Sequence, residues 1–379
     1  MAPSGKIGHI TGWAALSPFG VGRQAFADGY LSGRTGRRPD LADASGPAER
    51  GYRLAGFDPA ELLGTKGTRS LDRLTLMVTA TVDLVLAEHA GTLGERRQSV
   101  GLVLGTSTGS VASIVEFTKD TFTQSRPYHV NPALFPNTVM NGAAGHAAIW
   151  HQLHGLNSTV AAGLVTGLAT LRYATRMLRS GHADTLVVGC VEELSTPVVQ
   201  AVARIRQVAA PAGAPTALLP GDTPLGEGCV MFLVDTGATA AEQRRRPLAD
   251  LVDFESAVAL PGDPPELRVE SLTGVIRSLL ARNRVSPADL WRVSPARSGT
   301  PELDRAEAAA LAEVFCPAPL PEQVTVASQI GNSYSALGAF QVAAVLAAAQ
   351  REPAGRPARP VLVTGLGLDG SVAAALVSV

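Results

Sequence analysis

Apolar residues along this chain fall in short runs whose spacing switches repeatedly between that of a strand and that of a helix. Lys6 to Trp13 predicts a strand, the Leu16-Ser17-Pro18-Phe19-Gly20 stretch a turn, and Gln24 to Leu31 a helix. Gly33 to Tyr52, rich in Gly, Arg, Pro and Asp, reads as a surface loop. Asp72 to Ala90 has the pattern of an amphipathic helix. Val100 to Leu104 predicts a buried strand that ends in Gly105-Thr106-Ser107-Thr108-Gly109, followed by a helix over Ser110 to Thr123 and a loop over Gln124 to Pro136. Thr138 to Leu153 reads as a helix packed with Ala and Gly. Ser158 to Ala162 reads as a strand running into a helix that ends near Leu178, and Thr185 to Cys190 and Glu227 to Asp235 as further strands. Gln207 to Gly221, rich in Pro and Ala, reads as a loop.

The second part of the chain repeats the alternation. Strands are expected at Leu248 to Phe254, Trp291 to Ser294, Val324 to Ala327, Val361 to Gly365 and Ser371 to Val377. Helices are expected at Leu267 to Ala281, Pro301 to Val314 and Ser335 to Gln350. Thr159-Val160-Ala161 precedes a small-residue helix and then Thr185 to Gly189, and Thr325-Val326-Ala327 precedes another and then Val361 to Gly365. That recurrence points to an α/β protein of two similar halves, 1–247 and 248–379, with small-residue helices packed between sheets.

The chain has 379 residues, 46% of them hydrophobic and only 17% charged, which implies extensive buried or interface surface. A formal net charge of −1 makes no electrostatic case for nucleic acid or an anionic membrane. No apolar run reaches transmembrane length, and the first twelve residues lack the features of a signal peptide. Cys190, Cys229 and Cys316 have no metal spacing and read as buried structural thiols in a reducing, cytoplasmic setting. His146, His151 and His154 read as helix-face or interface groups; no metal or cofactor is expected. Arg244-Arg245-Arg246 reads as part of a solvated connector.

The turn at Ala162-Gly163-Leu164-Val165 sits where a strand becomes a helix. The first helical residue there faces the positive end of the helix dipole, a place that suits a nucleophile. Leu164 fills it, and neither Leu164 nor its neighbours can attack a carbonyl.

Six segments resemble the β-ketoacyl synthases of the thiolase fold, in the right order and over nearly the whole chain. They are Ile10-Thr11-Gly12 through Ser17-Pro18-Phe19-Gly20 to Gly33; Leu71-Asp72-Arg73; Val100 to Gly109; Gly226-Glu227-Gly228; Ser298-Gly299-Thr300-Pro301 with Asp304 and Glu307; and Gly365 to Gly370. The resemblance implies a thiolase-like fold, two βαβαβαββ halves in a layered αβαβα core. It also implies 3-oxoacyl-[acyl-carrier-protein] synthase chemistry by one Cys and two His. Here the Cys position falls on Leu164, the first His on Ala296, the second on Asn332, and the Lys that precedes the second on Ala327. All seven His lie at or before His182, so no shift of register supplies the missing imidazoles.

The chain is therefore most similar to the chain length factor subunit of type II polyketide synthases. That likeness implies a heterodimer with an active ketosynthase, an acyl carrier protein as a further partner, and no catalysis by this chain itself. It places Phe135 to Met140, with Thr138 between, along an acyl tunnel, turns the Thr138 to Leu153 helix and the Ser158 to Ala162 strand toward the partner, and puts Leu368 where active members have a gating Phe. The alternative is a degenerate homologue that forms homodimers as a scaffold or carrier-protein-binding module.

Overall fold

The computed structural model describes residues 8–36, 51–209, 223–260, 265–352 and 357–379. With strands of three or more residues and helices of nine or more numbered in order, the chain begins β1 (Gly8–Ser17), α1 (Arg23–Leu31), α2 (Arg73–Glu88), β2 (Gly101–Gly105), α3 (Val111–Thr123), α4 (Gly142–His151) and β3 (Asn157–Val160). It continues α5 (Thr166–Arg179), β4 (Thr185–Glu192), α6 (Thr196–Ala209), β5 (Gly228–Asp235), β6 (Ala249–Val258), α7 (Pro265–Asn283), β7 (Arg292–Ser294), α8 (Pro301–Phe315), α9 (Leu337–Ala349), β8 (Pro360–Leu366) and β9 (Ser371–Ser378).

The strands hydrogen-bond in the order β7-β8-β9-β6-β1-β5-β4-β2-β3. This is one arrangement used twice. β2 runs parallel to β3 and β4, and β5 is antiparallel to both β4 and β1. In the second half β7 is parallel to β8, and β9 is antiparallel to both β8 and β6. The two first strands, β1 and β6, meet antiparallel over Gly8–Ile10 and Ala249–Leu251, which joins the halves. The strand expected at Val324 to Ala327 shrinks to a single bridge between Gln323 and Val293, in the place that β3 holds in the first half. Val324 to Val326 follow without regular structure, and Ala327 opens a short helix, Ala327–Ile330.

Strand alternation builds the layers. Cys229, Met231 and Leu233 of β5 face a cluster with α2 and α4, while Val230, Phe232 and Val234 face the centre. Ala373, Ala375 and Val377 of β9 face the same centre, and Val372, Ala374 and Leu376 face α7 and α8. Between the two halves of this sheet lie α5 and α9. Their small residues permit close approach: a Cβ on Gly167 would lie 2.6 Å from the Ala339 nitrogen. Sheet on both sides explains why α9 is buried from Leu337 to Ala348 without a polar face. By contrast α2 starts where the Asp72 carboxylate accepts the Thr75 N–H at 2.7 Å.

Several expectations change. The helix expected from Thr138 starts only at Gly142, because Pro132–Thr138 forms a 3-10 turn that packs on the helix start; a Cβ on Gly142 would lie 2.3 Å from the Pro136 carbonyl oxygen. Thr138 closes that turn with a 2.7 Å bond from its hydroxyl to the Phe135 carbonyl. Helix α6 was not anticipated, and it takes in the start of the loop expected from Gln207; the rest of that loop, like most of Gly33 to Tyr52, lies outside the described residues. The expected connector at Arg244 to Arg246 is solvated only in part. Arg245 is buried and holds the buried Asp235 through bonds of 2.9 and 2.6 Å. Cys190 and Cys229 are buried as expected, but Cys316 is exposed because it caps the end of α8.

Candidate functional site

The site grows from the turn before α5. Ala162 leads into a 3-10 turn, Gly163–Val165, and Gly163 has φ 56°, the left-handed backbone that glycine tolerates best. Leu164 follows, buried, with its side chain in the cluster beneath α7 and α8. The Ser107 hydroxyl, from the loop after β2, lies 2.7 Å from that of Thr166 and donates toward the Gly163 carbonyl at 3.3 Å. A Cβ on Gly163 would lie 3.7 Å from the Tyr334 hydroxyl and 3.8 Å from an Asp369 carboxylate oxygen, so the loops before α9 and after β8 close over the turn.

Ala296 and Asn332 arrive from the second half. Ala296 is buried, and its N–H donates at 3.0 Å to Glu307, whose carboxylate also accepts the Arg297 N–H and the Thr364 hydroxyl. Burial pushes Glu307 up to about 6 against those three donors. The Asn332 amide donates to the Ser298 carbonyl at 2.7 Å and accepts the Tyr334 N–H at 2.8 Å, so it staples two loops together. Leu368 is half-buried and packs on the same cluster as Leu164 and Tyr334.

Glu192, at the end of β4, ties the halves together. It accepts the Ser107 N–H at 2.9 Å, the Thr108 N–H at 3.3 Å, and the hydroxyls of Thr108 and Ser335. Burial raises its pKa, and those donors pull it back only in part. Next to it Glu193 is also buried and is pushed up to about 7, chiefly by burial and then by the nearby Asp72 carboxylate. Both glutamates open onto a cavity of about 300 Å³, which Ser107, Leu194, Val198, Val202, Asn332 and Tyr334 also line. Of this lining sequence reasoning singled out Asn332 and missed the two glutamates. The available signal was an acidic pair closing an apolar run, Leu186 to Val191.

The arrangement offers little to drive a reaction. The Ser107 hydroxyl is bonded to another hydroxyl and a carbonyl, neither of them a base. His151 is spent on the Thr79 carbonyl at 2.9 Å, within the α2–α4 layer. Among the described residues no three His, Cys, Asp or Glu side chains converge as a metal site, and no helix is long and apolar enough to cross a membrane.

The tunnel candidates lie elsewhere. Phe135 is 55% exposed and Met140 38%, so neither is core. Phe135 stacks obliquely on Phe117 at 5.9 Å, and Met140 lies against Gly109 at the end of the Gly-Thr loop. Phe122 and Ile149, on α3 and α4, are 83% and 78% exposed. β3 ends the sheet, so among the described residues one edge of Asn157–Val160 has no strand beside it.

Comparison with known proteins agrees with this architecture. The chain is 28% identical over 353 residues to the tetracenomycin polyketide synthase ketoacyl synthase beta subunit of Streptomyces glaucescens, covering 89% of this chain and 84% of that one. It is 26% identical over 317 residues to 3-oxoacyl-[acyl-carrier-protein] synthase 2 of Coxiella burnetii, covering 81% and 76%. The solved structure of the ishigamide ketosynthase/chain length factor superimposes with a TM-score of 0.82 at 34% identity, covering 98% of this chain and 99% of that one. The family model for the beta-ketoacyl synthase N-terminal domain matches residues 9–240, and that for the C-terminal domain residues 261–354. Fold, loop order and both matches lead to one conclusion: this chain belongs to the beta-ketoacyl synthase family.

Proposed function

We propose that this chain is a non-catalytic, chain length factor-like subunit of a type II polyketide synthase. It pairs with an active ketosynthase, receives substrate chains delivered on an acyl carrier protein, and shapes the tunnel that sets their length. The observation that carries the reading is the filling of the three reactive positions. Leu164 is packed into core, Ala296 presents a methyl group, and the Asn332 amide is committed to two backbone groups. A loaded acyl chain needs a thiolate, and decarboxylation needs donors aimed at the forming enolate; these side chains supply neither. The likeness to a beta subunit and to a ketosynthase/chain length factor points the same way. Three unpaired cysteines fit a cytoplasmic setting.

The exposed apolar surface around Phe135 and Met140, together with the open edge of β3, is where the partner docks and the tunnel runs. A closed apolar cavity accepts methylenes until its end wall clashes. Co-expression with an intact Cys-His-His ketosynthase should give a stable one-to-one complex, while the isolated chain should take no acyl group as a thioester. Self-association without the ketosynthase would favour the homodimeric scaffold instead. In a working complex, Phe135→Trp or Met140→Trp should shorten the product; unchanged length would remove these residues from the tunnel.

A further inference from the structure

A cavity of about 210 Å³ opens at the start of β4, at the other end of that strand from Glu192, and has no residue in common with the site around Leu164. Its walls come from the short helix Ala90–Leu93, the turn Gly94–Ser99 and the short helix Gly237–Glu242. The lining is mostly polar: Thr92, Ser99, Thr239, Arg96, Arg245 and Asp184. Two buried donors there lack a good acceptor. Arg245 is only 6% exposed; its Nε and Nη2 hold Asp235, but Nη1 reaches only the Thr92 carbonyl and hydroxyl, at 3.4 and 3.3 Å, which is long for such bonds. Thr239, equally buried, accepts the Thr236 hydroxyl at 2.9 Å, and its own proton has no acceptor among the described residues. At the rim Arg96 is tied to Glu242 through bonds of 2.9 and 2.6 Å. Asp184 is exposed there, and among the described residues no cation pairs with its carboxylate.

We propose that this cavity binds a small zwitterion, a short amino acid whose carboxylate meets Arg245 Nη1 and the Thr239 hydroxyl and whose ammonium group meets Asp184. The charges select for both ends at once. Asp235 already balances Arg245 and Glu242 balances Arg96, so a lone anion would add to the uncompensated charge of Asp184. A lone cation would meet Asp184 but leave Nη1 and Thr239 unanswered, beside two guanidinium groups. A molecule carrying both charges answers each with a charge-assisted bond. The volume, below that of cavities for drug-sized ligands, keeps the molecule short. Nothing in this inference rests on the proposed function, and it needs no partner subunit.

The test uses the isolated full chain at pH 7.5 in titration calorimetry. The probes are glycine, 3-aminopropanoate and 4-aminobutanoate, each set against the acid and the amine of the same length that lack one of its charges. At least one amino acid is expected to bind tenfold or more tightly than both of its controls. Asp184→Asn should bring that amino acid within twofold of its acid control, whereas Asp184→Glu, which keeps the charge, should preserve the preference. Ser99→Trp, at the exposed rim, should abolish binding while leaving the thermal melt of the unliganded chain unchanged, which shows that the variant folds. Absence of binding by all three amino acids, equal binding of an amino acid and its controls, a preference indifferent to Asp184→Asn, or binding that survives Ser99→Trp would each overturn the assignment.

Discussion

At the scale of single residues, the molecule keeps buried charges that its proposed role does not require for chemistry. Glu193 has a folded-state pKa of about 7 against 4.5 for the free side chain, so the folded chain binds the extra proton between those values. Stability must then fall as pH rises through that window, with the loss complete above it. Glu193→Gln should flatten this dependence and raise stability at pH 8 by about 1–3 kcal/mol, read from urea midpoints at pH 5 and pH 8. Arg245 shows the opposite case. Asp235 accepts the hydroxyls of Thr11 and Thr185, each at 2.6 Å, as well as the guanidinium, and it is fully buried. Arg245→Met strands that carboxylate and should cost about 3–5 kcal/mol, while the exposed neighbour changed by Arg246→Ala should shift stability by less than about 0.5 kcal/mol. A run of three arginines does not reveal which one turns inward; only the position of Asp235 does.

At the scale of elements, the helix pair between the two halves of the sheet sets the tolerance of the fold. A Cβ on Gly167 would meet the backbone of Gly338 and Ala339 at 2.6–2.8 Å, and backbone in a five-layer core has nowhere to move. Gly167→Ala should therefore destabilise by about 1–3 kcal/mol. Gly145 in α4 has nothing within 4 Å of its Cβ position, so Gly145→Ala should gain up to about 1 kcal/mol from reduced backbone entropy. Thermal melts of the two variants would move in opposite directions. Where local signals were strong, helix and strand positions followed them: α2 begins at its Asp72 cap and α8 at Thr300-Pro301. Where the signal was a generic small-residue run, as at Thr138 to Leu153, the start moved to where the Pro132–Thr138 turn ends.

At the scale of the whole molecule, the two halves share strand order and direction but differ at their outer edges. The first half ends in a true strand, β3; the second ends in one bridge at Gln323. The Leu156 and Val160 carbonyls accept from Leu102 on β2 and from Thr106 just after it, so by strand alternation the Thr159 N–H points to the open edge. Thr159→Pro removes that donor and leaves the β2 ladder in place. In size-exclusion chromatography of the co-expressed pair it should weaken association at least tenfold without unfolding the chain, whereas retained pairing would mean that the edge strand is not part of the contact.

The order of residues alone determined the alternation of strands and helices, the internal repeat, and the side-chain identities Leu164, Ala296 and Asn332. These are properties of local spacing and of side-chain identity, and both can be read one residue at a time. Only the tertiary structure decided that Arg245 is buried, that Cys316 is not, that Phe135 and Met140 face outward, and that Glu192 and Glu193 open onto a cavity. Burial and charge pairing depend on which distant segments meet, and in this chain the deciding contacts join residues far apart along it, as when Ser335 closes on Glu192.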